Sequence, residues 1–237
     1  MKILAVRIGN KYGPEYETYL EERLKGYDII WIREQLRPDI LLQWNKIYGM
    51  NINTDEPICV IDIDILLIND YKKIFNYPIK KGEFLAAPNW WVTPKRKDFN
   101  YTINGGFYKY FPKDCTYIYD KFLSDVNFWQ NKYIANGVTS GPVNGEQYFI
   151  EDSVRERLKL ITLPNSWFCR MVSDEKKELE NLLFLNKTYK SVTGNSFMFL
   201  DKTFHSDIKF VHFNSSNNYP TKWKHFNSYS NKILPAQ

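Results

Sequence analysis

The stretch ICVIDIDILLI, residues 58–68, is the part of the sequence that best indicates the fold. It is the most apolar segment of the chain, which indicates a central buried strand that runs into a turn. Two carboxylates, Asp62 and Asp64, interrupt this apolar segment two positions apart. Because a strand places residues i and i+2 on the same face, we expect both carboxylates to point to one side.

Two buried carboxylates need a partner, because an unpaired buried charge is strongly unfavourable. A hard divalent cation fits two convergent carboxylates, and α/β folds bind ligands at the carboxyl ends of their strands. The alternative is that one aspartate caps a helix while the other pairs with a lysine. His212 ends a later apolar run, and its imidazole would complete a site for Mn²⁺ that also tolerates Mg²⁺. Its alternative is a histidine satisfied within the core.

Outward from this stretch, strand-like and helix-like patterns alternate along the chain. Further apolar runs predict strands at residues 2–8, 27–33, 83–88, 103–111, 158–164 and 208–214. Helical spacing predicts helices at 15–25, at 38–48 with Pro38 at the start, at 114–132 and at 145–158. This alternation predicts an α/β fold with a mostly parallel central sheet, helices on both faces and an irregular C-terminal part.

Length and composition restrict the class of protein. The 237 residues correspond to one large domain or two small ones, and 43% hydrophobic with 25% charged residues excludes disorder, collagen and coiled coil. The net charge of +5 favours an anionic ligand such as a phosphate. It is too small to indicate nucleic-acid binding, so we expect no nucleic-acid partner.

Cysteine usage and the N-terminal sequence indicate the compartment. Cys59, Cys115 and Cys169 are odd in number and widely spaced, which argues against a disulfide framework or a thiolate zinc site and favours a reducing compartment. The sequence shows no secretory signal pattern and no apolar stretch of the length that a membrane helix needs. We therefore expect a soluble, cytoplasmic protein without a membrane span.

The segment VIDIDILLIND resembles the DxD segment of GT-A-fold glycosyltransferases, especially those of the glycogenin and lipopolysaccharide galactosyltransferase type. Other segments resemble motifs of that family in the same order: KYGPEY at 11–16, Trp44-Asn45-Lys46, Asn104-Gly105-Gly106, Gly145-Glu146-Gln147, and Val211-His212-Phe213 followed by Lys222-Trp223. Asn214 and Ser215 depart from the last motif, in which a glycine usually follows the phenylalanine. The compact chain is also similar to stand-alone glycosyltransferase domains of large algal DNA viruses, which would act in the host cytoplasm.

The resemblance implies a single GT-A-like, Rossmann-like domain over residues 1–237, in which 1–110 bind the nucleotide and 111–237 bind the acceptor. It implies metal-dependent transfer of a sugar from a nucleoside diphosphate sugar, most simply a UDP-sugar, to a glycan or another hydroxyl acceptor. The implied metal ligands are Asp62, Asp64 and His212. The implied donor-binding residues are Arg7, Tyr12, Lys46, Asp62, Asn104 and Lys222.

Glu146 and Gln147 are the candidates for the reacting centre, together with the metal ligand Asp64. An inverting enzyme needs a carboxylate that takes the proton of the acceptor hydroxyl, which would be Glu146. In a retaining enzyme Gln147 would lie near the anomeric carbon and Glu146 would hold hydroxyls of the donor. The alternative for Glu146 is an ordinary acid at a helix start, where the macrodipole favours it.

Ordinary structural explanations and two other functions remain open alternatives. Tyr12 is either a stacking surface for uracil or a core tyrosine, and Lys46 is either a phosphate ligand or a solvated lysine. Asn104 either contacts a sugar hydroxyl or marks a strand bulge. A sugar nucleotidyltransferase and a non-catalytic carbohydrate-binding protein on the same fold are the alternative functions.

Overall fold

The computed structural model describes residues 1–89, 100–135, 145–170 and 207–213. Its strands are β1 (Lys2–Val6), β2 (Asp28–Ile32), β3 (Ile58–Ile61), β4 (Ile65–Leu67), β5 (Glu83–Pro88), β6 (Ile103–Tyr110), β7 (Lys159–Thr162), β8 (Phe168–Arg170) and β9 (Phe210–His212). Its α-helices are α1 (Pro14–Arg23), α2 (Lys72–Asn76), α3 (Pro112–Ser124), α4 (Val126–Ala135) and α5 (Glu146–Arg157), and 3-10 helices span Leu42–Asn51 and Asn165–Trp167.

The described strands form two sheets. The central sheet has the order β2-β1-β3-β6-β5-β7, and within it only β6 runs antiparallel to its neighbours. The smaller sheet has the order β4-β9-β8. This arrangement confirms the predicted α/β fold with a mostly parallel central sheet.

Each face of the central sheet carries its own hydrophobic core. Helices α1 and α2 and the small sheet cover one face, where Leu20, Phe75 and Phe210 are buried. The 3-10 helix Leu42–Asn51 and helices α3 to α5 cover the other, where Trp44 stacks on Phe122 with ring centroids 5.3 Å apart. Helices on both faces are therefore confirmed.

We expected the apolar stretch 58–68 to be one central strand that runs into a turn. It forms instead two strands that belong to different sheets. The central-sheet strand β3 ends at Ile61 and the small-sheet strand β4 begins at Ile65. Between them the amide of Asp62 donates to the carbonyl of Gly106, and the carbonyl of Asp64 accepts from the amide of Phe213. The carboxylates therefore do not share the face of a regular strand, and the link between the sheets brings them together.

Two predicted helices also differ from the observed ones. No helix begins at Pro38: the 3-10 helix starts at Leu42, because the Asn45 side chain binds the preceding loop through the amide of Leu36 and the carbonyl of Ile40. The predicted helix 114–132 is broken at Asp125, whose Oδ1 accepts a hydrogen bond from the amide of Phe128.

The described residues also bear on the remaining sequence expectations. Cys59 and Cys115 are buried thiols outside any disulfide, as expected, whereas the Cys169 side chain lies outside the described part. Among the described helices, none combines the length and the apolar character that crossing a membrane requires. Most of the predicted irregular C-terminal part lies outside the described residues.

Candidate functional site

Asp62, Asp64 and His212 converge at the carboxyl end of β3. His212 Nε2 lies 3.2 Å from Asp62 Oδ2 and 3.2 Å from Asp64 Oδ1. The pairing of β4 with β9 sets Ile65 opposite His212, which brings the imidazole beside the link between the two sheets. One ligand atom from each of the three residues falls within 4.8 Å of the others. Two carboxylate oxygens and one imidazole nitrogen are a donor set that suits Mn²⁺ or Mg²⁺, so these residues fit the predicted metal.

The charges of this cluster depend on one another. Burial alone would raise the pKa of Asp62, but the Lys46 ammonium and His212 hold it well below its usual range. Burial alone would lower the pKa of His212, but the carboxylates of Asp64 and Asp62 raise it to about 9. A metal-ligating histidine must be neutral, so binding of a cation at this cluster releases the imidazolium proton.

Lys46 reaches the cluster from the 3-10 helix Leu42–Asn51 and is only 5% exposed. Its Nζ lies 2.5 Å from Asp62 Oδ1 and donates to the carbonyl of Gly105 at 2.8 Å. Burial would lower the pKa of Lys46, but the carboxylates of Asp62 and Glu146 raise it. Lys46 is therefore a buried cation beside the predicted metal ligands and not a solvated lysine. Asp62 pairs with this lysine, as the alternative explanation for one of the two aspartates expected.

Strand β6 carries a bulge beside this cluster. Ala86 of β5 lies opposite Tyr108, whereas the next residue, Ala87, lies opposite Asn104. Within the bulge the side chain of Asn104 accepts a hydrogen bond from the amide of Gly106 at 2.9 Å. A Cβ at Gly106 would lie only 2.9 Å from Asn104 Oδ1, so a larger residue at this position would displace the Asn104 side chain. Asn104 thus marks a strand bulge next to the site, as one of its two explanations from the sequence expected. Contact of Asn104 with a sugar hydroxyl stays a prediction.

Glu146 and Gln147 begin α5 opposite the same bulge. Gln147 Oε1 accepts a hydrogen bond from the amide of Gly105 at 2.9 Å. Glu146 is 3% exposed, and its Oε1 has no hydrogen-bond partner among the described residues. Burial raises the pKa of Glu146 to about 7, although Lys46 opposes that rise. The carboxyl of Glu146 therefore gains or loses a proton near neutral pH, whereas an exposed acid at a helix start has a pKa near 4.5.

Tyr108 belongs to this group although sequence reasoning missed it. A Cβ built on Gly105 would lie 3.2 Å from Glu146 Oε2 and 3.3 Å from the Tyr108 hydroxyl, so glycine lets these groups approach the backbone. Tyr108 is 1% exposed, and burial and the Glu146 carboxylate raise its pKa well above its usual range. No signal in the sequence separates Tyr108 from Tyr110, the other tyrosine of the same strand.

The loop after β1 reaches the cluster through Tyr12. The Tyr12 hydroxyl donates to Asp64 Oδ2 at 3.0 Å, and its ring packs edge-on against Tyr16 with centroids 5.0 Å apart. Arg7 lies behind this loop, where its guanidinium contacts Glu17 and donates to the carbonyl of Tyr12 at 3.3 Å. The structure thus brings Tyr12 to the predicted ligands and places Arg7 one contact away, while Lys222 lies outside the described residues.

Comparison with known proteins finds similarity only in structure, since no protein-family model and no curated protein sequence matches the chain. A crystal structure of galactosyltransferase LgtC with donor and acceptor sugar analogs matches at 10% identity and a TM-score of 0.57, covering 100% of this chain and 98% of that chain. Glycosyltransferase GlyE of Streptococcus pneumoniae TIGR4 matches at 10% identity and a TM-score of 0.56, covering 99% of this chain and 61% of that chain. The bifunctional glycosyltransferase WbbM matches at 10% identity and a TM-score of 0.53, covering 100% of this chain and 50% of that chain. The chain therefore has the GT-A-type fold of these glycosyltransferases, as its sequence motifs predicted.

Proposed function

We propose that the chain is a metal-dependent glycosyltransferase that moves a sugar from a nucleoside diphosphate sugar, in the first place a UDP-sugar, to a hydroxyl group of a glycan. The observation that carries this proposal is the convergence of Asp62, Asp64 and His212 beside buried Lys46 on this fold. The cluster lies at the carboxyl end of β3, where α/β sheets bind their ligands.

The charges of the cluster suit a departing nucleoside diphosphate, which gains negative charge as the bond to the sugar breaks. A bound Mn²⁺ or Mg²⁺ supplies Lewis-acid stabilisation of that charge. Asp62, Asp64 and His212 would hold the ion. Lys46 keeps Asp62 ionised, and the Tyr12 hydroxyl orients Asp64 through their 3.0 Å hydrogen bond.

Glu146 and Gln147 lie beside the β6 bulge next to the cluster, and we assign them to the sugar. Each supports one stereochemical outcome. Glu146, with its pKa near 7, suits a general base that takes the acceptor proton in an inverting reaction. Gln147, fixed by the Gly105 amide, suits contact with the anomeric carbon in a retaining one. One matched LgtC structure is of an active-site mutant with glutamine changed to glutamate, so a glutamine lies in the active site of that protein. The anomeric configuration of the first product, read by proton NMR, distinguishes the two outcomes.

Thermal shift with a panel of nucleoside diphosphates, with and without MnCl₂, tests the donor site. A ligand at about 100 times its Kd that binds only the native state adds about 2.7 kcal/mol to the free energy of unfolding. For a chain of this size that raises Tm by about 5–10 °C. We expect such a shift with UDP and Mn²⁺, and its loss in Asp64→Asn. Asp70→Asn is the matched control, because Asp70 is exposed and pairs only with Lys73 among the described contacts, and it should keep the shift.

Other results would favour other functions. UDP release from a panel of UDP-sugars in the presence of a glycan acceptor would establish turnover. No shift with any nucleotide, combined with glycan binding that ignores metal, would contradict the proposal and favour a carbohydrate-binding protein. Pyrophosphate release from a nucleoside triphosphate would instead indicate a sugar nucleotidyltransferase.

A further inference from the structure

Glu17, in the first turn of α1, is a nearly buried carboxylate shared by two arginines. It is 9% exposed. Its carboxylate accepts a hydrogen bond from Arg7 Nε, and it accepts others from Arg33 Nε at 3.1 Å and Arg33 Nη2 at 3.0 Å. Burial alone would raise the pKa of Glu17, but the two guanidinium groups hold it below its usual range.

The two arginines lie at equivalent positions at the edge of the central sheet. Arg7 directly follows β1 and Arg33 directly follows β2, and these strands pair in parallel with Val6 opposite Ile32. The amide of Arg7 also donates to the carbonyl of Ile32 at 2.9 Å. Glu17 therefore joins the carboxyl ends of two neighbouring parallel strands, next to the edge at which this fold binds ligands.

A chain of contacts runs from Glu17 to the metal ligands. Arg7 Nη1 donates to the carbonyl of Tyr12 at 3.3 Å, and the Tyr12 hydroxyl donates to Asp64 Oδ2 at 3.0 Å. The loop ahead of Tyr12 has little other support, because residues 9–11 are exposed and a Cβ at Gly9 would meet nothing within 4 Å. The contact of the Arg7 guanidinium with the Tyr12 carbonyl therefore helps to hold this loop, together with the Tyr12–Asp64 hydrogen bond and the packing of Tyr12 on Tyr16. Glu17 in turn holds that guanidinium.

We propose that Glu17 is a positioning residue that holds Arg7 against the Tyr12 carbonyl and thereby sets loop 9–13 for binding of the donor nucleotide. This inference rests on the proposed function. It also gives Arg7 a definite role, since a guanidinium engaged with Glu17 and with a backbone carbonyl acts on the loop and not on the phosphates. The opposite role makes the opposite prediction: if Arg7 were a phosphate ligand, removing Glu17 would free it and strengthen nucleotide binding.

Isothermal titration of the full chain with UDP in saturating MnCl₂ tests the inference in wild type, Glu17→Gln and Glu21→Gln. Glutamine keeps the shape of Glu17 but loses the charge that holds both guanidinium groups. We expect Kd for UDP to rise about tenfold in Glu17→Gln, which corresponds to about 1.4 kcal/mol. Glu21 lies one turn further along α1, is exposed and accepts only from Trp31 Nε1 among the described bonds. Glu21→Gln should therefore leave Kd unchanged.

A second variant and a kinetic measurement separate positioning from general loss of structure. Arg7→Lys keeps the charge but loses the planar fork that bridges Glu17 and Tyr12, so it should also weaken UDP binding. This variant supplies the test if Glu17→Gln does not fold. With a UDP-sugar donor, KM should rise while kcat stays within about twofold. Unchanged or tighter binding in a folded Glu17→Gln variant, or unchanged binding in Arg7→Lys, would overturn the inference alone. Absence of Mn²⁺-dependent UDP binding by wild type would contradict the proposed function as well.

Discussion

The carboxyl group of Glu146 makes the stability of the protein depend on pH. Burial raises its folded pKa to about 7, against 4.5 for the unperturbed group. Below pH 4.5 the group is protonated in both states and costs nothing. Between pH 4.5 and 7 the unfolded chain loses this proton while the folded protein keeps it, so stability falls over that interval. Above pH 7 the folded protein buries the charge, and stability stays at the lower level.

Replacing Glu146 by glutamine removes this pH-dependent cost. We expect the Glu146→Gln variant to gain about 3 kcal/mol in free energy of unfolding relative to wild type between pH 4.5 and pH 8. Urea unfolding in the presence of EDTA at several pH values measures this difference, because Lys46, Asp62 and Tyr108 are the same in both proteins and their own titrations largely cancel. Glu156→Gln is the control, since Glu156 lies on the same helix, is 49% exposed and pairs with Lys121. A gain that did not vary with pH would contradict the folded pKa near 7.

Local sequence patterns identified some site residues and missed others for a physical reason. Asp62 and Asp64 were visible because carboxylates in an apolar run are costly unless something compensates them. Glu17 gave no such signal, since an acid in a charged amphipathic helix is ordinary. Its importance comes from two arginines that follow different strands, and contacts between distant positions leave no local pattern. Lys46 was identified only by its family motif, and its burial appeared only in the structure.

A glycine must precede helix α5 if Glu146 and Gln147 are to keep their positions at its start. Gly145 has φ 128°, and a Cβ there would lie 2.9 Å from the backbone carbon and oxygen of Tyr133. Gly145→Ala therefore adds both an unfavourable backbone conformation and an overlap with rigid backbone atoms. We expect it to lower the free energy of unfolding by about 3 kcal/mol and to reduce sugar transfer, because the start of α5 must shift.

Gly82→Ala separates the two effects of that substitution. Gly82 also has a positive φ, 79°, but a Cβ there would meet nothing within 4 Å. It should therefore show only the conformational cost of about 1 kcal/mol and leave activity intact. Urea unfolding gives both costs. Equal losses of stability in the two variants would show that the contact with Tyr133 has no effect.

Element boundaries were harder to predict than element types, and two segments show why. Residues 58–68 are apolar apart from Asp62 and Asp64 because both β3 and β4 are buried, so hydrophobicity alone could not reveal a change of sheet at Asp62. In 114–132 the helical spacing of aromatic residues was extended to Phe128, which is 51% exposed. The break comes from Asp125, which leaves the helical conformation and caps the next helix, a role typical of aspartate that the aromatic spacing concealed.

The two hydrophobic cores, one on each face of the central sheet, bear on the prediction of a single domain over residues 1–237. The core on one face of the sheet joins residues as distant as Ile3 and Phe213, and the core on the other face joins Leu4 to Val154. Both cores pack on the same six strands. Among the residues that the structure describes, each core therefore contains side chains from both predicted halves, 1–110 and 111–237.

Truncating one large side chain in each core tests whether the molecule unfolds as one unit. Phe75, buried against Phe107 on one face, and Phe149, buried against Trp44 and Phe122 on the other, are both fully inaccessible. Phe75→Ala and Phe149→Ala should each cost about 3–5 kcal/mol. If both cores unfold together, each variant shifts the whole transition, and near-UV and far-UV circular dichroism give the same midpoint. Two separate transitions, with each variant shifting only one of them, would show instead that the two faces of the sheet unfold independently. In that case, sharing of both cores by the two predicted halves does not make unfolding cooperative.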